Sequence, residues 1–432
     1  MIMADNSSSA PLSAKLAKAA LFLLVAPTTR LLAMLGGVTR HDTFLHRCFS
    51  HFAGLINWAG QGAITLAYPS MRYNPVAWRK QRMAWNWAEQ VTGCSEIELD
   101  AAARDFISHY QSLPPNAVAL SDLTFTIVVG FHSHLQYLEH CIRSISETLN
   151  SSENVSVDLI LINDDPSIAS DLLEATLKRH FSSKAIIRTN PINLGICRSI
   201  NEALPHASGD WILHLDCDDR LHPDAIKVLQ KVIRLNPGIR FISSRCMDID
   251  EQDRVIARRL RTESPEDLIR NNYASHLKAI RKDLHDEIGL FDPFFEGCQD
   301  FEFALRTSIF ERLLFIPDYL YQYRWHDQSQ TVGNCERQNF VMIRVRQTYL
   351  LAIHWMIHGI RSIAIEFSGP HALEWSKKIP ASAETPRWKL FVEPSAPFSS
   401  MNSKQLIIKI ASLVCEAVRT GQEGSLGVVR EF

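Results

Sequence analysis

The stretch Ser208-Gly-Asp-Trp-Ile-Leu-His-Leu-Asp-Cys-Asp-Asp219 decides the fold. Its middle, Trp211-Ile-Leu-His-Leu215, is an apolar run of strand length. It passes without a spacer into carboxylates at Asp216, Asp218 and Asp219, and His222-Pro223-Asp224 then opens a helix. A short apolar run bounded by turn residues reads as a buried strand. The same unit recurs upstream. Phe125-Thr-Ile-Val-Val129 ends at Gly130 and is followed by a helix with Leu138, Ile142 and Ile145 at i, i+4, i+7. Val157-Asp-Leu-Ile-Leu-Ile162 ends at Asn163-Asp164-Asp165-Pro166-Ser167. Then come a helix over 168–180, a strand over 184–189, a loop over 190–195 and a helix over 196–204. Strands alternating with helices imply a mostly parallel α/β sheet with helices on both faces. Ligands of such sheets bind beyond the C-terminal strand ends, where Gly130, Asp164, Asp165 and Asp216 to Asp219 fall.

The 432 residues allow two or three domains. We expect residues 1–12 to be disordered, 13–120 to be a helical region, 121–335 to be the α/β domain and 336–432 to be mainly helical. In that last part, helices are expected over about 340–368 and from Lys404 to Arg419. Pro114-Pro115-Asn116 reads as a linker. The apolar run from Leu16 to Gly36 is interrupted by Lys18, Pro27 and Arg30, and its uncharged core is too short to span a bilayer. A buried helix or one resting on a membrane surface fits it. A net charge of −2 gives no electrostatic case for nucleic acid as a partner. The basic stretch from Arg254 to Arg261 is too short to change this. Nine cysteines, an odd number without CxxC spacing, argue against a disulfide framework and for a reducing compartment.

Each candidate motif has two readings. Asp216 and Asp218, two apart at a strand end, can converge on a hard cation such as Mg²⁺ or Mn²⁺ with positions left for phosphate oxygens. Alone, the same residues fit a polar strand-to-helix turn with Asp219 capping the next helix. Asp164 can accept hydrogen bonds from a base or ribose, while either Asp164 or Asp165 also fits an Asx-type cap. Asn193-Leu-Gly195 combines a turn glycine with the nearby Arg198, which can reach phosphate or simply belong to a helix start. Asp300 and Glu302 suit a base beside an acceptor hydroxyl, or a helix N-terminus favoured by its dipole. His326, in Tyr323-Arg-Trp-His326, can ligate a metal or be structural.

The ordered set resembles the family 2 glycosyltransferases of the GT-A fold, over roughly residues 123–332. The matching stretches are Thr126-Ile-Val-Val-Gly130, Ile162-Asn-Asp-Asp-Pro-Ser167, Asn193-Leu-Gly195 with Asn201, and Ser208 to Asp219. They continue with Gly289-Leu-Phe-Asp292, Gln299-Asp-Phe-Glu302 and Tyr323-Arg-Trp-His326 with Ser329. The resemblance implies a GT-A type, Rossmann-like sheet and a metal-dependent, inverting transfer. A sugar passes from a nucleoside-diphosphate sugar, with UDP-sugars favoured, to a carbohydrate or other hydroxyl acceptor. It places Gly130, Phe131, Asp164, Asp165, Asn193, Arg198, Asp216 and Cys217 at the donor, and Asp218 and His326 on Mn²⁺ or Mg²⁺. Asp300 becomes the base, with Gln299 and Glu302 on the acceptor side. It also implies cell-envelope polysaccharide as a setting. No multi-helix membrane region follows the domain, unlike in processive synthases of the family, so we expect a non-processive enzyme, cytoplasmic or peripheral to the inner membrane face.

Two stretches depart from the family pattern. Gly130-Phe-His-Ser133 replaces its Pro-x-Tyr-Asn, and Pro166 replaces its glycine. Both touch the nucleotide pocket and leave the donor open. Two alternatives remain: a degenerate, non-catalytic module of the same fold, and a phosphatase of the haloacid dehalogenase type. The phosphatase normally has Thr or Val where Arg220 stands, and carries its Asp-x-Asp on an early strand.

Overall fold

The computed structural model describes residues 93–114, 123–259, 264–274, 276–329 and 334–358, and the backbone of three strands beyond them. The expectations for residues 1–12, for Leu16 to Gly36, for most of 13–120 and for the helix from Lys404 to Arg419 lie outside the described residues.

The chain enters through α1 (Glu96–Ser112), whose first turn is closed by a capping box. The Ser95 side chain accepts from the Glu98 backbone, and the Glu98 side chain reaches back to Ser95 N. Three β/α units and a fourth strand follow: β1 (Thr124–Phe131), α2 (Leu135–Asn150), β2 (Ser156–Asn163), α3 (Ser170–His180), β3 (Ala185–Thr189), α4 (Ile196–Ala203) and β4 (Trp211–Asp216). Next come β5 (Arg220–Leu221), α5 (Ala225–Leu235), β6 (Phe241–Ile249), β7 (Val255–Arg258), β8 (Lys278–Arg281) and α6 (Lys282–Ile288). The domain closes with α7 (Gln299–Ser308), β9 (Leu313–Arg324) and α8 (Cys335–His358).

The main sheet runs β3-β2-β1-β4-β8-β6-β9-β5, with β7 on β6. Its first half matches the sequence expectation, since β1, β2, β3 and β4 are parallel neighbours. The second half is mixed: β8 is antiparallel to β4 and β6, β6 is parallel to β9, β5 is antiparallel to β9, and β7 is antiparallel to β6. "Mostly parallel" therefore describes only the first half.

Side chains on a strand alternate between faces, so the sheet has two cores. Phe125, Ile127, Val129 and Phe131 of β1 join Leu138 and Ile142 of α2 on one face. Val128 joins Ile107 of α1, Ile200 of α4 and Phe301 of α7 on the other. Helices α1 and α8 dock on this second face. Arg346 of α8 reaches Glu96 at 2.7 Å and Asp100 at 3.0 Å in α1. Thus α1 and α8, which the sequence assigns to flanking regions, pack on the α/β domain. The expected helix over 340–368 is also corrected. It ends at His358, and Ile363–Ser368 is a strand (β10) paired antiparallel with β11 (Arg387–Val392) and β12 (Val428–Glu431). The alternating Ile363, Ile365 and Phe367 fit a strand better than a helix. No helix among the described residues is long and apolar enough to cross a membrane.

Candidate active site

The ends of the parallel strands are level. Gly130 pairs with Ile162 on β2 and with Asp216 on β4, so Asp164 and Asp216 flank the end of β1. Beyond these ends lies a cavity of about 410 Å³, a normal size for a small-molecule site. Among the residues expected from sequence, Gly130, Phe131, Asp164, Asn193, Asp216, Cys217, Asp218, Gln299 and Asp300 line it. A side chain at Gly130 would meet Ile196 Cδ1 at 2.6 Å, so the Ile196 side chain packs directly over this strand end.

The three aspartates after β4 have separate environments. A turn closed by Asp219 N donating to Asp216 O, at 3.0 Å, aims them apart. Asp216 lines the cavity, and its pKa is pushed up to about 6, first by burial and then by the Asp218 charge. Asp218 turns its Oδ2 to His326 Nε2 at 2.9 Å. His326 is itself 4% exposed, wedged against the rings of His134 and Tyr137. Asp219 does not cap the next helix. It is 1% exposed and accepts from Tyr321 Oη at 2.7 Å and Arg324 N at 2.6 Å. Burial raises its pKa well above the ordinary carboxylate value, with Asp218 adding to it. The reason is topological: β5 and β9 close over this turn, so Asp219 meets β9 before it can reach α5. Cys217 is buried, with Sγ donating to Ser133 O at 3.5 Å, and burial raises its thiol pKa well above normal.

Asp164 is spent on architecture as well as on the cavity wall. It accepts from Leu194 N at 2.8 Å, Gly195 N at 2.9 Å and Asn190 Nδ2 at 2.8 Å. These bonds fold the loop that presents Asn193 to the cavity. Gly195 has φ +80°, and a Cβ there would strike the Glu296 carboxylate at 2.5 Å. Asp165 does not line the cavity. Its carboxylate accepts from Ser167 Oγ at 2.6 Å and Ser167 N at 2.9 Å, an Asx turn at the entry to α3. The Ser167 bonds hold its pKa low. Arg198 is likewise absent from the cavity wall. The buried face of α4 carries Cys197, Ser199 and Ile200, which turns Arg198 outward to the solvent-exposed side.

Asp300 enters from the first turn of α7. Its Oδ2 accepts from Asn272 Nδ2 at 3.1 Å and Lys278 Nζ at 3.4 Å, and its Oδ1 from Phe301 N at 2.9 Å. Burial pushes its pKa up, but Lys278, His276 and Asn272 outweigh burial and leave it below the usual value. Glu302 is corrected. It is 2% exposed, lies off the cavity, and pairs with Arg306 at 2.9 Å and Tyr349 Oη at 2.5 Å. Two residues beyond Asp300, the helix has rotated it into the core, where α7 meets α8.

Several cavity residues escape the motif reading: His132, His134, His214, His276, Lys278 and Glu296. One left a trace. Lys278 interrupts the apolar run Leu277-Lys-Ala-Ile280, and a lysine inside so short a buried strand needs a reason.

The family model described as glycosyl transferase family 2 matches residues 126–291. An uncharacterized glycosyltransferase of Haemophilus influenzae is 23% identical over 169 residues, covering 38% of this chain and 56% of that protein. An uncharacterized protein of Sinorhizobium fredii is 25% identical over 219 residues, covering 43% of this chain and 23% of that protein. The chain thus spans only part of the length of these relatives. Among solved structures, S. aureus TarS 1-349 in complex with UDP-GlcNAc is similar at TM-score 0.41 and 13% identity, covering 54% of this chain and 73% of that one. The mannosyltransferase PcManGT from Pyrobaculum calidifontis, in complex with GDP-Man and Mn2+, is similar at TM-score 0.41 and 12% identity, covering 80% of this chain and 99% of that one.

Proposed function

Residues 126–291 belong to glycosyl transferase family 2, and from that premise we propose that the chain transfers a sugar from a nucleoside-diphosphate sugar to an acceptor hydroxyl, with inversion. The observation that carries this reading is one cavity shared by Asp216, Asp218 and Asp300, three carboxylates from two distant parts of the chain.

The cavity suits both ends of such a donor. Asn193, on the loop held by Asp164, faces the nucleoside side, with Gly130 and Phe131 forming the adjoining wall. Asp218, on the cavity wall, and His326, off it, hold a carboxylate oxygen and an imidazole nitrogen 2.9 Å apart. This pair fits a divalent cation such as Mn²⁺ or Mg²⁺ that completes its shell with diphosphate oxygens and water, and the imidazole suits a transition metal better than Mg²⁺. When bound, the cation supplies positive charge against the leaving diphosphate.

The chain's own groups do the rest. Asp300 is held on both oxygens and kept ionised by Lys278, ready to take the proton of an acceptor hydroxyl. The hydroxyl oxygen bonds to the anomeric carbon as the carbon–oxygen bond to the diphosphate breaks, with the electron pair leaving on the diphosphate. One displacement inverts the anomeric centre. Gln299, whose Oε1 accepts from Gly297 N at 2.8 Å, fixes the loop on the acceptor side of Asp300.

The family assignment removes the phosphatase alternative. The non-catalytic alternative is answered by experiment. Thermal-shift titration with UDP, GDP and their sugars in Mn²⁺ should show stabilisation that grows with ligand concentration over Kd. Released nucleoside diphosphate should then be measured for the sugar nucleotide that binds. A protein that binds neither nucleotide and turns over no sugar nucleotide ends this reading.

A further inference from the structure

Lys278 is an unusual residue for the wall of this cavity. It sits on β8 beside β4, whose end carries Asp216, and it is 5% exposed. Its ammonium makes one hydrogen bond, the 3.4 Å contact to Asp300 Oδ2. An ammonium has three donors, so two of them meet no acceptor among the described residues. A buried charge with unmade hydrogen bonds is costly, and a lysine serving only as a counter-ion would close onto its carboxylate. This one lines the cavity instead.

We infer that Lys278 is the seat for one hydroxyl of the transferred sugar and so a determinant of donor choice, a conclusion that rests on the transferase reading above. Two features select a neutral hydroxyl over an anionic group. Lys278 acts on both Asp216 and Asp300, and these two carboxylates would repel a further anion placed between them. A hydroxyl oxygen instead accepts from Nζ without adding charge. Depth selects the donor sugar over the acceptor. The Lys278 side chain is 7% exposed and that of Asp300 is 16% exposed, so a hydroxyl that reaches Nζ lies deeper than one that reaches Asp300. A site built to hydrogen-bond a substrate hydroxyl discriminates strongly against analogues that lack it.

The test is calorimetric titration with Mn²⁺ of UDP, GDP, UDP-glucose, UDP-N-acetylglucosamine and GDP-mannose into wild type, Lys278→Met and Lys278→Gln. Methionine matches the stem of lysine, and glutamine keeps a donor in case the methionine variant fails to fold. Lys278→Met should bind the bare nucleoside diphosphate within about twofold of wild type and lose on the order of 10-fold or more for the preferred sugar nucleotide. Lys278→Gln should fall between the two. Unchanged sugar-nucleotide affinity in both variants overturns the seat. An equal loss for the bare nucleotide also overturns it, because Lys278 then serves the diphosphate. Unchanged donor binding with a raised acceptor KM overturns it in favour of an acceptor contact. Wild type that binds no nucleotide at all ends the transferase reading and this inference with it.

Discussion

Strands β3, β2, β1 and β4 run parallel and present Gly130, Asp164 and Asp216 from one edge, each at the end of a β/α unit. Strands β8, β6, β9 and β5 meet through antiparallel ladders and one irregular parallel one, and they deliver Lys278, Tyr321 and Arg324, with His326 just beyond. The first half is assembled from neighbours in sequence, the second from segments far apart. The difference shows in how carboxylates are used. In the first half Asp164 and Asp216 are strand-end side chains facing a cavity. In the second half acidic residues are tied into ion pairs. Asp253 accepts from His140 at 2.6 Å, Arg220 at 2.8 Å and Arg324 at 2.5 Å. The turn from Asp216 to Asp219 is where the halves join, and its aspartates divide accordingly: Asp218 faces the cavity and Asp219 is claimed by β9.

The sharpest way to break the comparison is to remove one cavity carboxylate from each half. Asp218→Ala and Asp300→Asn should each lower turnover by about 10²–10⁴-fold, the range for a lost catalytic group, with little change in melting temperature. Released nucleoside diphosphate and a thermal melt read the two quantities. Full activity in either variant would mean that its half does not contribute to the chemistry.

A different result is expected at Arg324, inside the Tyr323-Arg-Trp-His326 stretch. Arg324 is fully buried; it donates to Asp218 O at 2.7 Å, Asp250 O at 2.9 Å and Asp253 Oδ1, and it lies 4.7 Å from the ring centre of Tyr137. Arg324→Met leaves the Asp218 and Asp250 carbonyls without this donor and takes one of its cations from Asp253, which keeps Arg220 and His140. It should cost about 3–5 kcal/mol, at roughly 1–3 kcal/mol for each carbonyl left without a donor, read as a fall in urea midpoint. A loss under ~1 kcal/mol would show that the second half does not depend on these ion pairs.

Legibility in the sequence follows the same division. The β/α units could be read because each strand is a short apolar run with its own turn chemistry, so β1, β2, β3 and β4 fall within a residue or two of expectation. Asp216, Asp218 and Asp300 could be placed by motif order. Glu302 could not be separated from Asp300 by pattern, since the side that α7 buries is set by α8, and Tyr349 lies far along the chain. Asp219 failed for a similar reason: its partners arrive on β9. Lys278 and His276 carry no motif. Only the β4–β8 ladder, a long-range antiparallel pairing, brings that segment to the cavity.

That seam offers a pH test of intermediate size. His285 of α6 packs on Phe303 at 4.6 Å and near His214 of β4 at 6.2 Å. Burial, then the Arg306 charge, pushes its pKa down to about 3. The unfolded ring titrates near ~6.5, so below that pH the unfolded chain takes a proton that the folded chain refuses. The contribution is complete above about 6.5 and is lost as pH falls toward the folded value. At pH 5 the loss from this ring is about 2 kcal/mol. Folded stability should therefore drop less between pH 7 and pH 5 in His285→Phe than in wild type, by about that amount. Equal drops in the two proteins would place the ring in contact with water and the seam open.

The smallest effect concerns adjacent residues of the first half. Asp164 holds two backbone amides and the Asn190 side chain, whereas Asp165 holds only Ser167 next to it. If strand-end position alone decided function, Asp164→Ala and Asp165→Ala would behave alike. The bonding pattern says otherwise. Asp164→Ala releases the loop carrying Asn193, and should raise the donor KM on the order of 10-fold, since amide bonds to a carboxylate are charge-assisted. Asp165→Ala loosens only the entry to α3 and should change the donor KM by less than about twofold, as expected for an exposed turn away from the cavity. Steady-state kinetics on the two variants side by side decide the point. A large KM change for Asp165→Ala would mean that the donor reaches past the strand end onto the Asx turn, and the cavity would then extend further along β2 than its present wall.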